Sequence, residues 1–177
     1  VEALTLANAL TALRIVLVPA FITALEYARY DLALYVFALA AATDALDGLA
    51  ARRLGGKTTL GRVLDPVADK LMLVSSFLYL AYRGYLPAWL AIVVVSRDAL
   101  VVTGAAALSL AGGTPRVEPT ISGKAAIALQ FILLVYVLLK INYGPAPSVE
   151  GVLIALTAAL TVLSGLHYVY RGMKIAA

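Results

Sequence analysis

The 177-residue chain contains no cysteine and a single histidine. Disulfides and thiolate chemistry are therefore excluded, and cysteine usage says nothing about redox compartment. The lone histidine, His167 in the last apolar stretch, is expected to be an interfacial or packing residue rather than a catalyst. Charge is also scarce: Asp, Glu, Lys and Arg make up 14% of the chain, against roughly 25% in an ordinary soluble domain. Internal repeats and a low-complexity tail are absent. Gly55-Gly56 is expected to be a turn, because no phosphate-loop spacing accompanies it. The first apolar segment is too long for a signal-peptide core, and no basic leader or small-residue cleavage site precedes it. It is expected to be mature structure.

What the chain has in abundance is apolar surface: 63% hydrophobic residues and a mean hydropathy of +0.95. A membrane span needs about 20 mostly apolar residues and must satisfy its backbone hydrogen bonds internally. Long Ala/Leu/Val runs select helices for that task. Six spans are expected, at 4–27, 32–51, 62–82, 86–110, 123–142 and 150–170. The fold class is thus an all-α integral membrane protein, with residues 1–177 forming one domain and six transmembrane helices in one bundle around a polar cavity. Gly55-Gly56, Gly112-Gly113-Thr114-Pro115 and Gly144-Pro145-Ala146-Pro147 punctuate the breaks.

Six spans put both termini and the loops 52–61 and 111–122 on one side. That side carries Arg52, Arg53, Lys57, Arg62, Arg116, Lys124, Arg171 and Lys174. The other side has Arg29, Arg83 and Lys140. The positive-inside rule makes the basic side cytoplasmic. The net charge of +4 is spread over loops between apolar spans, which suits topology and anionic lipid and argues against nucleic acid as a partner. Tyr27, Tyr30, Tyr35, Tyr82, Tyr85, Trp89 and Tyr143 cluster near the outer span ends, where rings anchor to the interface.

Four aspartates stand out against this background. Asp44 and Asp47 lie near the end of the second span, and Asp65 and Asp69 near the start of the third. A carboxylate at a helix centre costs about 2.5–3.5 kcal/mol on insertion scales, so four together call for a cation or a polar cavity. Asp44, Asp47 and Ala51 fall at i, i+3 and i+7, while Gly61, Asp65 and Asp69 follow i+4 steps, so each set shares a helical face. A short basic loop makes the two spans antiparallel neighbours. Oxygen donors without His or Cys suit a hard cation, Mg²⁺, Mn²⁺ or Ca²⁺, rather than zinc. One or two ions fit, with substrate phosphate completing the shell. Gly48 and Gly61 leave room beside the acids. The plainer alternative is four helix-end charges reaching the interface and paired with Arg52, Arg62 and Lys70.

The stretch Asp44-Ala-Leu-Asp47-Gly48-Leu-Ala-Ala51-Arg52, then Gly61, Asp65 and Asp69, matches the D-x-x-D-G-x-x-A-R-x8-G-x3-D-x3-D signature of the CDP-alcohol phosphatidyltransferases. The chain resembles that family in this motif, in its six-span layout and in the side on which the acids lie. The resemblance implies an enzyme that transfers a phosphatidyl group from a CDP-linked lipid to an alcohol and releases CMP. It implies one or two Mg²⁺ or Mn²⁺ ions held by Asp44, Asp47, Asp65 and Asp69, with Asp69 also the general base. Gly48, Ala51, Arg52 and Gly61 would shape the cytidine and phosphate site. The implied active site faces the cytoplasm, in a prokaryotic plasma membrane. Family members commonly form homodimers, and Ala/Gly-rich helix faces could pack that way.

Leu6-Ala-Asn8-Ala-Leu-Thr11-Ala-Leu-Arg14 is similar to the N-x-x-T/S-x-x-R opening of the phosphatidylglycerophosphate synthase and CMP-forming cardiolipin synthase branch. Asn8, Thr11 and Arg14 share a helical face and could line the cavity; an amphipathic membrane entry is the alternative. Ser96-Arg97-Asp98, inside an apolar span, is either a self-neutralising bridge or a wall of the site with Arg97 reaching acceptor phosphate. Pro119-Thr120-Ile-Ser-Gly-Lys124 and Gln130 resemble the segment opening the fifth helix in that branch, with Lys124 and Arg116 as anion contacts.

Glycerophosphate synthases usually carry A-R-E where this chain has Ser96-Arg97-Asp98, and G-K-x-K-T, with a second lysine, where it has Ala126 in Gly123-Lys124-Ala-Ala126-Ile127. Ser-Arg-Asp is closer to the cardiolipin synthase variant. Glycerol 3-phosphate leads as acceptor because Arg14, Arg97, Arg116 and Lys124 remain; phosphatidylglycerol is the alternative. Partners are therefore a CDP-lipid donor, a phosphorylated alcohol or phospholipid acceptor, and membrane lipid. Two other classes compete. Intramembrane aromatic prenyltransferases also use aspartates and magnesium, but with more helices and different spacing. A cation transporter could use intramembrane carboxylates, but gives no reason for Gly48, Ala51 and Gly61.

Overall fold

The apolar stretches fold into six α-helices among the described residues: α1 Leu6–Glu26, α2 Tyr30–Arg53, α3 Thr59–Tyr82, α4 Ala88–Leu110, α5 Ile121–Tyr143 and α6 Glu150–Ala176. The structure is a computed structural model that describes the backbone over 6–53, 59–110, 121–144 and 149–176, and side chains over 12–43, 70–104, 121–144 and 149–172. Each helix matches an expected span, with shifted ends. α3 begins three residues earlier than hydropathy suggested, at Thr59 rather than 62, and α6 continues past 170 through Arg171 and Lys174. Polar helix ends carry no hydropathy signal. Two stretches, Ile121–Tyr143 and Glu150–Gly172, are long and apolar enough to cross a membrane, and Tyr30–Thr43 and Lys70–Tyr82 are shorter apolar segments.

Helix ends are closed by backbone geometry. At the end of α1, Arg29 N–H donates to Ala24 O at 2.8 Å and Ala28 N–H to Leu25 O at 3.1 Å, the paired 6→1 and 5→2 bonds of a Schellman cap. At the end of α3, Tyr85 N–H donates to Leu80 O at 2.8 Å and Gly84 N–H to Ala81 O at 3.1 Å. The two caps differ in one respect. Gly84 takes the left-handed position at φ 77°, whereas the first cap places Ala28 there at φ 53°. Gly144, at φ 90°, ends α5 with a single bond to Lys140 O.

Two compact units form. One comprises Val1–Tyr79 with Leu138–Gly144, and the other Leu80–Val137 with Pro145–Ala177. In the first, α1 packs on α2. Leu17, Phe21, Ala24 and Leu25 of α1 are buried, as are Ala33, Phe37 and Ala40 of α2, each at the spacing of one helical face. Phe21 and Phe37 meet with centroids 5.7 Å apart. Tyr79 OH donates to Glu26 Oε2 at 2.7 Å, and Asn142 Nδ2 reaches the carbonyls of Tyr30 and Leu138, both at 2.9 Å.

In the second unit α4 packs on α6. Leu90, Ala91 and Val94 of α4 and Ala126, Leu133, Leu134 and Val137 of α5 are buried. The buried face of α6 is different in kind: Thr157, Thr161 and Ser164 are fully enclosed. Its outward face carries Val152, Leu156, Leu163, Leu166 and Val169, all exposed. Ile92 and Val102 of α4 and Val16 of α1 are exposed at 60–65%. Polar side chains inside and apolar ones outside reverse the usual order of a water-soluble domain. Hydroxyls of the interior also bond back to their own helix, as Ser76 Oγ does to Met72 O at 2.7 Å and Thr43 Oγ1 to Ala40 O at 2.8 Å.

Candidate active site

Helical backbone runs unbroken through Asp44, Asp47, Gly48, Ala51 and Arg52 in α2, and through Gly61, Asp65 and Asp69 in α3. Their side chains lie outside the described residues, but helical phase places their positions. The buried face of α2, marked by Ala33, Phe37 and Ala40, continues by alternating steps of four and three to 44, 47 and 51. On α3 the buried positions Leu80, Ser76 and Met72 lie four apart, and 69, 65 and 61 follow toward the N-terminus at steps of three, four and four. On the helical backbone the four acidic positions thus share the register of those buried positions.

On α1, Arg14 is 2% exposed and opens the buried stripe that continues with Leu17 and Phe21. Asn8, Thr11 and Arg116 lie outside the described side chains, although α1 carries the backbone of Asn8 and Thr11. Lys124 is exposed on the first turns of α5.

Arg97 anchors the best-defined assembly, and it lies wholly within the second unit. The guanidinium is in phase with buried Leu90 and Val94 and is 5% exposed. Its Nη1 donates to Asp98 Oδ1 at 2.8 Å. From α6, Ser164 Oγ accepts from Nε at 3.2 Å and from Nη2 at 2.7 Å. The ring of Tyr168 lies 5.5 Å from the guanidinium carbon, within cation–π range. Beside them Gly165 is 3.5 Å, measured from an ideal Cβ, from the Arg97 stem. The expected Arg97–Asp98 bridge exists, therefore, but it is one part of a larger set.

Two further contacts link α5 to α6. Gln130 Nε2 donates to Thr161 Oγ1 at 3.1 Å, both buried. Ser122 Oγ lies 3.5 Å from His167 Nδ1 at the exposed edge, which fits an interfacial role for the histidine. Ser164 and Tyr168 were not singled out by sequence reasoning. The available signal was a run of hydroxyls at 157, 161, 164 and 168, one face of an otherwise apolar helix.

An exterior rich in exposed apolar residues and buried guanidinium groups on α1 and α4 mark a helical protein suited to a membrane. Residues 4–163 match the family described as CDP-alcohol phosphatidyltransferase, and the chain belongs to it. The family is membrane-associated and uses a divalent metal. A Mycobacterium tuberculosis protein named probable phosphatidylglycerophosphate synthase is 35% identical over 176 residues, covering 96% of this chain and 82% of that protein. The cardiolipin synthase (CMP-forming) of Rattus norvegicus is 32% identical over 187 residues, covering 96% and 62%. The CDP-diacylglycerol–glycerol-3-phosphate 3-phosphatidyltransferase of Bacillus subtilis is 36% identical over 135 residues, covering 75% and 69%.

Proposed function

We propose that this phosphatidyltransferase moves the phosphatidyl group of CDP-diacylglycerol to glycerol 3-phosphate, giving phosphatidylglycerophosphate and CMP. The observation that carries the chemistry is the eight-position signature, carried on the unbroken helical backbone of α2 and α3. All four donors are carboxylates, a set suited to Mg²⁺ or Mn²⁺, so Asp44, Asp47, Asp65 and Asp69 would hold one or two such ions. When bound, the cation supplies neutralisation of the pyrophosphate and of the departing CMP.

Gly48, Ala51, Arg52 and Gly61 shape the donor site. The acceptor hydroxyl oxygen forms a bond to the phosphatidyl phosphorus as the anhydride bond to CMP breaks, and CMP leaves with that electron pair. The hydroxyl proton passes to the Asp69 carboxylate, the general base. Arg14, Arg97, Arg116 and Lys124, with Asn8 and Thr11, serve the acceptor. Phosphate on the acceptor matches a buried, held guanidinium such as Arg97. We place the six helices across a prokaryotic plasma membrane as a single family domain, 1–177, with a polar cavity open to the cytoplasm; homodimerisation through small-residue faces belongs to the same reading.

A second acceptor is favoured by one observation, the Ser96-Arg97-Asp98 sequence, which is closer to the CMP-forming cardiolipin synthases. One experiment separates them. Purified protein in lipid is given CDP-diacylglycerol, Mg²⁺ and, separately, glycerol 3-phosphate, phosphatidylglycerol, inositol phosphate or serine, and the lipid product is identified. Phosphatidylglycerophosphate as the main product supports the proposal. Cardiolipin formed from phosphatidylglycerol transfers the assignment to the second reading, and absence of CMP release with every acceptor overturns both.

A further inference from the structure

We propose that Ser164 and Tyr168 of α6 are positioning residues that hold Arg97 as an oxyanion receptor and so set the enzyme's affinity for the acceptor. The proposal deepens the reading of Arg97 as an acceptor contact and rests on it. A guanidinium has five N–H donors. Among the described residues, Ser164 takes two of them and Asp98 one, which leaves one on each terminal nitrogen. Those two are the donors with which an arginine meets two oxygens of a phosphoryl group.

Three features make the assembly a receptor rather than a bridge alone. Asp98 is the adjacent residue on the same helix and satisfies only Nη1, so a charge pair would need nothing from α6. Ser164 nevertheless crosses from α6 to hold the Nε and Nη2 edge, fixing the rotation of the guanidinium plane. Tyr168, one turn further along α6, lies over the guanidinium carbon and restrains the plane from its face. A side chain with four rotatable bonds is thereby reduced to one orientation before any ligand arrives, which lowers the ordering cost of binding. Gly165 sits between them on the same buried face of α6, beside the Arg97 stem.

The chemistry is one-sided as well. A hydroxyl has one proton and two lone pairs, and the two bonds from Arg97 occupy both lone pairs of Ser164. What remains for a ligand is the serine proton and two guanidinium N–H groups, all donors. Such a site takes an anion, and within the proposed reaction the candidate is the phosphate of the acceptor, free in glycerol 3-phosphate or esterified in phosphatidylglycerol.

The test is steady-state kinetics in proteoliposomes, with glycerol 3-phosphate and phosphatidylglycerol each varied at saturating CDP-diacylglycerol, and the donor varied at saturating acceptor. Ser164→Ala and Tyr168→Leu are expected to raise the acceptor KM about tenfold, the scale of a lost hydrogen bond to a charged group, and to leave the donor KM within about twofold. Ser164→Thr and Tyr168→Phe keep the hydroxyl and the ring and are expected to retain acceptor KM near the parent value. In an Arg97→Lys background, Ser164→Ala is expected to add little, because the fork it holds is gone. Equal effects on both substrates, an unchanged acceptor KM, or full additivity with Arg97→Lys would overturn the positioning role. Should Ser164→Ala fail to fold, Tyr168→Leu, alone and in the Arg97→Lys background, decides it by the same readouts. A parent enzyme that releases no CMP with either acceptor instead removes the functional reading on which the proposal stands.

Discussion

Arg97 shows how much a single buried charge demands of its surroundings. Removing one member of a buried ion pair leaves the other uncompensated and costs about 3–5 kcal/mol, whereas replacing both by apolar residues of similar size is often neutral. Arg97→Leu is therefore expected to lower the unfolding midpoint strongly, and the double variant Arg97→Leu/Asp98→Leu to recover most of that loss without recovering activity. Denaturation in detergent alongside CMP release checks both halves. Asp69 makes the opposite case. Asp69→Asn is expected to leave the melting temperature unchanged while turnover falls about 10²–10⁴-fold, the usual contribution of a general base; full activity in that variant would sink the assigned role. The aspartates were legible because charge in an apolar chain is conspicuous. Ser164 was not, because a neutral hydroxyl in a helix costs little and its partner lies 67 positions away.

The helices themselves show which parts of an element a sequence announces. Continuous apolar runs fixed all six, and Gly144 marked one of the ends, whereas Gly84 at the end of α3 was not singled out. Ala28 had no such signal, since alanine is a strong helix former and only the paired cap bonds reveal its left-handed backbone. Left-handed geometry costs an L-residue about 1–2 kcal/mol that glycine avoids. Ala28→Gly is thus expected to raise stability by roughly 1 kcal/mol and Gly84→Ala to lower it by a similar amount. Thermal melts of the two variants against the parent provide the check. An opposite sign at either position would mean that the cap geometry is not maintained. Packing between elements was less legible than their existence. That α6 turns hydroxyls inward follows from the partners Arg97 and Gln130 on other helices, which hydropathy averages away.

For the whole chain, the absence of cysteine becomes an experimental asset, since any thiol introduced is the sole one. With the orientation proposed above, cysteine at Lys57 or Gly113 is expected to react with an impermeant reagent from the cytoplasmic side, and cysteine at Arg83 or Gly144 from the opposite side. Labelling of all four from one side would refute the six-crossing arrangement. The outward apolar faces of α1, α4 and α6 and the enclosed hydroxyls carry a thermodynamic consequence. The large heat capacity of unfolding in water-soluble domains, about 12–15 cal/mol/K per residue, comes from wetting apolar surface. Here much of that surface is already outside, and in a bilayer it meets hydrocarbon whether the helices are associated or apart. Scanning calorimetry in lipid should therefore show a heat-capacity step far below the soluble value, and the stability of the helix assembly should vary only gently as the temperature changes.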